Sequence, residues 1–170
     1  IERLRDIEPE DLLGREPVVL DEAGIADTLA GKTVLITGAG GSIGSELCRQ
    51  VARYRPARIV LYELSEYNLY TIEQELGERF PQLPLVRLIG DVKDPAHLRH
   101  SFSKWRPEVV FHAAAFKHVP LMEEAENAVA ALRNNTLGTF NAATAAAEAG
   151  AERFVLISTD KAVNPTNVMG

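Results

Sequence analysis

The sequence has little cysteine, no long apolar run and no surplus of basic residues, and each shortage excludes a class of protein. Its single cysteine, Cys48, cannot form a disulfide within the chain, so nothing indicates an oxidising compartment. No stretch reaches the roughly 18 apolar residues of a membrane-spanning helix. The net charge of −6 disfavours nonspecific binding of nucleic acid, which requires clustered lysine and arginine. Metal-ligand spacings of Cys and His are also missing.

The remaining composition, 46% hydrophobic and 25% charged over 170 residues, is typical of one globular domain. Residues 1–31 are charged and lack a clear period. We interpret them as a lead-in segment, with a short extended piece at residues 18–20, and residues 32–170 as the domain itself. Because the chain begins without methionine or a signal-peptide pattern, we expect it to be part of a longer protein.

Strand and helix patterns alternate from Lys32 onward. Amphipathic helices, the last one rich in alanine, separate five short apolar runs. This alternation predicts a parallel sheet with helices on both faces and right-handed crossovers. The predicted fold class is therefore α/β, a doubly wound, Rossmann-type parallel sheet that is truncated after its fifth strand. The strands are predicted at 33–36, 58–62, 85–89, 109–112 and 154–158, and the helices near 42–54, 69–80, 94–105 and 126–149.

A glycine-rich turn between the first strand and the first helix is the strongest local motif. Gly38, Gly41 and Gly44 allow a tight turn, a close approach of the backbone to a pyrophosphate, and close packing of the helix on the strand. The following helix N-terminus offers free N–H groups and the positive end of the helix dipole. The spacing Gly-x-x-Gly-x-x-Gly departs from the common dinucleotide fingerprint, and no Gly-Lys-Ser/Thr follows, which excludes a Walker loop.

Two acidic residues follow the second and third strands. Glu63 stands where a dinucleotide-binding fold places the carboxylate that accepts hydrogen bonds from the adenosine ribose. This carboxylate would repel the extra phosphate of NADP, which favours NAD. Asp91 either faces the adenine edge or serves as a turn residue. The small residues after His112 leave room for a cofactor across the strand ends.

Polar residues cluster after the fifth strand, in Ser158-Thr159-Asp160-Lys161. Ligands of open parallel sheets bind outside the carboxyl ends of the strands, and a hydroxyl, a carboxylate and an ammonium group there can transfer protons. An exposed turn would have the same composition. Lys117 and His118 on a loop are equally compatible with a solvated pair, and Asn135 with close helix packing.

Longer stretches give the sequence a family resemblance. The chain resembles the extended short-chain dehydrogenase/reductase superfamily, and within it the membrane-associated UDP-N-acetylglucosamine 4,6-dehydratases of polysaccharide biosynthesis. HAAAFKHVPLME (112–123) together with STDKAVNPTN (158–167) is more specific than the glycine turn. Further matching stretches are GKTVLITGAGGSIGSELCRQ (31–50), LYELSEYNLY (61–70), GDVKD (90–94) and NNTLGT (134–139).

The resemblance implies an NAD site. It assigns the pyrophosphate to the glycine turn, the ribose to Glu63, and the space under the cofactor to the alanines after the fourth strand. It places Lys117 near the nicotinamide ribose or the substrate, and it matches Asn135 with a structural asparagine of the superfamily. The implied cofactor residues are Gly38, Gly41, Ser42, Ile43, Gly44, Glu63, Asp91, Val92, Ala113, Ala114, Ala115, Lys117 and Asn135.

The resemblance also implies a reaction: hydride removal from C4 of the sugar, loss of water across C5 and C6, and hydride return to C6. Thr159 would bind the C4 oxygen, Asp160 would assist loss of the C6 hydroxyl, and Lys161 would abstract the C5 proton. Met169 stands where the superfamily usually has the tyrosine that acts at C4, which leaves the base at C4 unassigned. We expect this chain alone to bind NAD but to be inactive.

Two other functions remain open at this point. A nucleotide-sugar 4-epimerase or reductase would share the glycine turn and Glu63, and a non-catalytic NAD-binding module would explain Met169. In each enzyme the partner is a UDP-sugar. We expect a homo-oligomer, since the alanine-rich helix offers a surface for a partner. The resemblance implies that the domain lies in the cytoplasm and that the parent protein is anchored in the inner membrane through segments outside this chain.

Overall fold

A computed structural model describes residues 19–159 and 162–164 of the chain. Within these residues, five strands form one parallel sheet, and helices cover both of its faces. The strands are β1 Thr33–Thr37, β2 Arg58–Glu63, β3 Leu85–Ile89, β4 Val109–His112 and β5 Arg153–Leu156. Their order in the sheet is β3-β2-β1-β4-β5. This order confirms the predicted doubly wound, Rossmann-type sheet.

Helices connect the strands, and those that begin at Ser42, Pro95 and Ala125 start within one residue of the predicted positions. Asp94 caps the fourth helix by accepting hydrogen bonds from the backbone N–H groups of Ala96 and His97, with Pro95 in the first turn. No described helix has the length and apolarity needed to cross a bilayer. The helices are α1 Glu22–Leu29, α2 Ser42–Arg53, α3 Glu66–Arg79, α4 Pro95–Trp105, α5 Val119–Met122, α6 Ala125–Ala131 and α7 Gly138–Ala149, with a π-helix Leu132–Leu137 between α6 and α7.

The core lies on both sides of the sheet, which is why the strands are nearly continuous apolar runs. Val34 and Ile36 of β1 pack towards α1, α2 and α3, in a cluster that includes Leu76. Leu35 faces the opposite side and packs with Phe102 of α4 and with the alanines of α7. The two clusters hold β1 and β4 in the centre of the domain. The residues of the candidate site follow the carboxyl ends of these two strands.

The lead-in segment differs from the prediction. Its described part contains helix α1, which Asp21 caps by accepting a hydrogen bond from the N–H of Gly24. Leu29 of this helix is buried in the core. The helix escaped prediction because eight residues contain only one buried apolar position and no visible period. Val19, placed in the predicted extended piece, is 94% exposed and lies outside any strand, and residue 18 lies outside the described residues.

The long alanine-rich helix is interrupted, where the prediction had it continuous over residues 126–149. A π-helix spans Leu132–Leu137, and π-turns of this kind often occur at functional sites. Helix α5 was also not predicted. Strand β5 ends at Leu156 instead of Ser158, although the N–H of Ile157 still donates to the carbonyl of His112.

Candidate functional site

The strand order reverses between β1 and β4, and a crevice opens there at the carboxyl ends of the strands. Open α/β sheets bind their ligands at this position. A larger cavity of about 930 Å³ extends towards β5, and a smaller one of about 170 Å³ extends towards β2 and β3. The two cavities share Gly41, Ala113, Ala115 and Phe116, so they form one groove across the strand ends.

The glycine turn enters this groove between β1 and α2. Gly38 has a φ of +65°, and a Cβ there would lie 2.8 Å from the carbonyl oxygen of Ala113. A Cβ at Gly44 would lie 1.9 Å from the carbonyl oxygen of Gly38. Both positions therefore require glycine, the first for its left-handed conformation and the second for close packing of helix on strand.

The first turn of α2 is open to a ligand. Its N-cap residue, Gly41, has no side chain with which to cap the helix. Ser42 and Ile43 of this turn line the larger cavity and are exposed. Free N–H groups at a helix N-terminus bind anions, so this end of α2 fits a phosphate or pyrophosphate.

Glu63 lies at the end of β2, beside the smaller cavity, and is only 8% exposed. One carboxylate oxygen accepts a hydrogen bond from the N–H of Gly40 at 2.9 Å, and the other accepts one from the N–H of Ser65 at 2.9 Å. These bonds fix the carboxylate and tie the glycine turn to β2. Each oxygen keeps a further lone pair, with which it can accept a bond from a ligand hydroxyl.

The segment after β3 forms the far wall of the smaller cavity. Asp91 lines that cavity, and its carboxylate also accepts a hydrogen bond from the N–H of Lys93 and pairs with the Lys93 ammonium at 2.9 Å. Asp91 is thus a turn residue that also faces the cavity. Val92 is buried against Gly138, where a Cβ would lie 2.7 Å from Val92 Cγ2.

The two asparagines of the π-helix hold the segment between the cavities. Asn134, 6% exposed, donates to the carbonyl of Ala114 at 3.2 Å. Asn135 Oδ1 accepts from the N–H of Phe116 at 2.9 Å, and Asn135 Nδ2 donates to the carbonyl of Phe116 at 3.0 Å. Asn134 was not predicted, because a lone sequence gives no indication that a π-turn will direct neighbouring asparagines to one loop.

His112, at the end of β4, lines the larger cavity while its side chain is buried at 2% exposure. Its Nδ1 lies 2.7 Å from Thr37 Oγ1, and its Nε2 lies 3.0 Å from Thr139 Oγ1. The ring stacks on Phe154 with a centroid distance of 5.9 Å. Burial lowers the pKa of His112 to about 4, so the ring is neutral at physiological pH.

The larger cavity also contains residues proposed for the chemistry. Lys117 is exposed, and its Nζ lies 3.4 Å from Ser42 Oγ. Thr159 lines the same cavity beyond β5. Asp160, Lys161 and Met169 lie outside the described residues.

Most of the predicted cofactor residues meet in the groove, and Gly44 is buried behind it as a packing residue. Among the described residues, no three His, Cys, Asp or Glu side chains are grouped to hold a metal ion. Predicted residues along the smaller cavity are Gly38, Gly41, Glu63, Asp91, Val92, Ala113, Ala114 and Ala115; those along the larger one are Gly41, Ser42, Ile43, Ala113, Ala115, Lys117, Asn135 and Thr159.

Comparisons with known proteins agree with this architecture. A family model described as polysaccharide biosynthesis protein matches residues 34–170. The capsular polysaccharide biosynthesis protein CapD of Staphylococcus aureus is 50% identical over 171 residues, which cover 100% of this chain and 28% of CapD. A UDP-N-acetylglucosamine 4,6-dehydratase (inverting) of Campylobacter jejuni is 35% identical over 141 residues, which cover 82% of this chain and 40% of that enzyme.

A solved structure with a similar fold is the UDP-glucose-4-epimerase of Stenotrophomonas maltophila, with bound NAD and formylated UDP-arabinopyranose. It superposes with a TM-score of 0.68 at 21% identity, over 76% of this chain and 38% of the epimerase. At this identity the likeness concerns the fold alone. The chain spans 28% of the length of CapD.

Proposed function

The chain belongs to the polysaccharide biosynthesis protein family, and we propose that the complete protein is an NAD-dependent 4,6-dehydratase of a nucleotide sugar such as UDP-N-acetylglucosamine. The membership confirms the resemblance found in residues 112–123 and 158–167. One observation carries the proposal: a single groove crosses the strand ends, with the buried carboxylate of Glu63 beside one end and Thr159 at the other.

The residues of the groove fit NAD. Gly38 and Gly44 let the turn pack closely on the backbone of Ala113 and on itself, and the uncapped turn of α2 can bind the pyrophosphate. The fixed carboxylate of Glu63 can accept hydrogen bonds from the adenosine ribose, with Asp91 and Val92 along the adenine side. The adenosine half would then occupy the smaller cavity, and the nicotinamide half would enter the larger one.

Bound NAD would supply the hydride acceptor for C4 of the sugar and the hydride donor for C6. At the β5 end of the groove, the Thr159 hydroxyl would hydrogen-bond the C4 oxygen. From the family resemblance, we assign Asp160 to assist loss of the C6 hydroxyl and Lys161 to remove the C5 proton. Lys117, close to the α2 N-terminus, would contact the nicotinamide ribose or the UDP-sugar.

We further propose a substrate, an assembly state and a location for the complete protein. The UDP-sugar is its proposed substrate. Homo-oligomerisation, attachment to a membrane through other segments, and a cytoplasmic position of this domain stay predictions. Since Met169 has no ionisable group, we propose that another group accepts the proton of the C4 hydroxyl.

The proposal is tested with the complete protein, incubated with UDP-N-acetylglucosamine and NAD and followed by mass spectrometry. A dehydratase gives a product lighter by one water. Asp160→Asn and Lys161→Met should abolish this product, whereas Lys104→Met, which changes a lysine at the far end of α4, should not. A protein that binds both ligands but never yields the dehydrated sugar would contradict the proposal.

An epimerase is the second candidate, because it would use the same glycine turn and the same fixed carboxylate of Glu63. Epimerisation leaves the mass unchanged and inverts one carbon, which NMR of the recovered sugar nucleotide detects. If NAD binds and the sugar nucleotide is recovered unaltered by either method, the protein is a non-catalytic NAD-binding module.

A further inference from the structure

His112 lies in a hydrogen-bonded chain that the proposed reaction does not use. Thr37 Oγ1, the His112 ring, Thr139 Oγ1 and the carbonyl of Asn135 follow one another at 2.7, 3.0 and 2.6 Å. This series of hydrogen bonds begins at the last residue of β1, next to the glycine turn, and ends in the π-helix. It therefore connects the two sides of the position where the strand order reverses, through the buried side chain of His112.

These hydrogen bonds determine which ring nitrogen of His112 carries the proton. The carbonyl of Asn135 can only accept, so the single hydroxyl proton of Thr139 is donated to it. Thr139 Oγ1 must then accept from His112, which places the ring proton on Nε2. Nδ1 consequently accepts from the hydroxyl of Thr37. Each of the three hydrogen bonds thus has one defined donor and one defined acceptor, so the neutral ring fixes the orientation of both threonine hydroxyls.

The π-helix passes this constraint to the cavity wall. Asn135, whose carbonyl ends the hydrogen-bonded chain, uses its side chain to hold both the backbone N–H and the backbone carbonyl of Phe116. Lys117 follows directly on that loop and lines the larger cavity. A substitution at His112 would therefore alter the nicotinamide end of the groove. Glu63, beside the smaller cavity, is held by separate hydrogen bonds and would keep its position.

We propose that His112 is a positioning residue: through Thr139 and the π-helix it sets the wall of the larger cavity against which the nicotinamide half of the cofactor binds. The inference rests on the proposed function, since it presumes that this groove takes NAD. It predicts that His112 affects binding of the nicotinamide half selectively, with little effect on the ADP half.

Calorimetric titration of the nucleotide-free complete protein with NAD and with ADP tests the proposal. The preference for NAD over ADP should fall at least tenfold in Thr139→Val and in His112→Asn, whose short amide reaches only the position of Nδ1. His112→Gln, whose amide reaches the position of Nε2 and can donate to Thr139, should keep the preference within about threefold. Affinity for ADP should change little in all three variants.

Two results would overturn the inference while leaving the proposed function intact. One is an unchanged NAD-to-ADP ratio in Thr139→Val and His112→Asn, even where their melting temperatures fall, since the role of the ring would then be structural only. The other is a ¹⁵N NMR spectrum of the His112 ring with its proton on Nδ1. A wild-type protein that binds neither NAD nor ADP would instead overturn the proposed function, and this inference with it.

Discussion

Thr37 and His112 are register partners at the ends of β1 and β4, and their side chains meet at 2.7 Å where the strand order reverses. Thr37 precedes the glycine turn, and His112 precedes the alanines that line the groove. The pair therefore joins the two strands on which the candidate site is built. Because the ring is buried and neutral, its titration is coupled to the stability of the fold.

The stability of the domain should fall as the pH is lowered from 6.5 to about 4. Burial lowers the pKa of His112 to about 4, from 6.5 in an exposed side chain. Between these values the unfolded chain binds a proton that the folded chain excludes, so the free energy of unfolding rises with pH across this window. The pKa difference corresponds to roughly 3 kcal/mol. Urea unfolding at pH 7 and at pH 4.5 measures most of it.

His112→Gln is the control for this pH dependence, because glutamine does not titrate. Its unfolding free energy should vary less over the same pH range. The ion pair with Arg49 lowers the pKa of Glu75 to about 2. The stability that this pair contributes is therefore lost mainly at pH values below the window in which His112 titrates. An identical pH dependence in the variant and the wild type would show that His112 is not the responsible group.

Gly44→Ala should disrupt the glycine turn. The new Cβ would lie 1.9 Å from the Gly38 carbonyl oxygen, and this clash with backbone should destabilise the fold by at least about 2 kcal/mol and weaken NAD binding. Gly77→Ala in α3 is the matched control, since apart from the backbone of its own helix no atom lies within 4 Å of its Cβ position. It should stabilise the helix by about 0.5–1 kcal/mol. Equal unfolding free energies for both variants would contradict this packing of the glycine turn.

Glu63 should determine the preference for NAD over NADP. We expect wild-type protein to bind NAD at least tenfold more tightly, because the buried carboxylate repels a ribose phosphate. Glu63→Gln removes the charge and places an amide N–H₂ opposite a backbone N–H donor. The affinity for NAD should therefore fall, and the ratio of NAD affinity to NADP affinity should decrease. Calorimetric titration with both nucleotides measures the ratio. Glu66→Gln, one turn away on α3, should leave it unchanged.

Lys117 should contribute to ligand binding without contributing to the fold. It is exposed and lines the larger cavity beside Ser42, so Lys117→Met should weaken binding of NAD or of the UDP-sugar several-fold. The melting temperature should stay within about one degree, since surface substitutions usually change stability little. Lys104→Met serves as the charge-matched control. A loss of stability in Lys117→Met that equals its loss of binding would point to a structural role instead.

The sequence predicts the sheet well, because hydrophobic period and capping residues are local. Five strands, the Asp94 cap and the position of Glu63 at the end of β2 all follow from neighbouring residues. Gly38, Gly41 and Glu63 could be assigned to one groove because parallel strands bring their carboxyl ends to one edge. These predictions required no knowledge of contacts between distant elements.

The features that escaped prediction depend on contacts between distant residues. The π-helix interrupts an alanine-rich segment whose local preference is for a regular helix, and its asparagines contact a loop about 20 residues earlier in the chain. His112 was taken only as the start of a run of small residues. Its partners Thr37 and Thr139 come from β1 and α7, and only the fold brings them together.

The most direct test of the proposed reaction follows one hydrogen atom. The complete protein is incubated with NAD and with UDP-N-acetylglucosamine that carries deuterium at C4, and the product is examined by mass spectrometry and NMR. A dehydratase that returns the hydride to C6 gives a product that has lost one water, keeps the deuterium and carries it at C6. A product with deuterium still at C4 and an unchanged mass would contradict the dehydratase account.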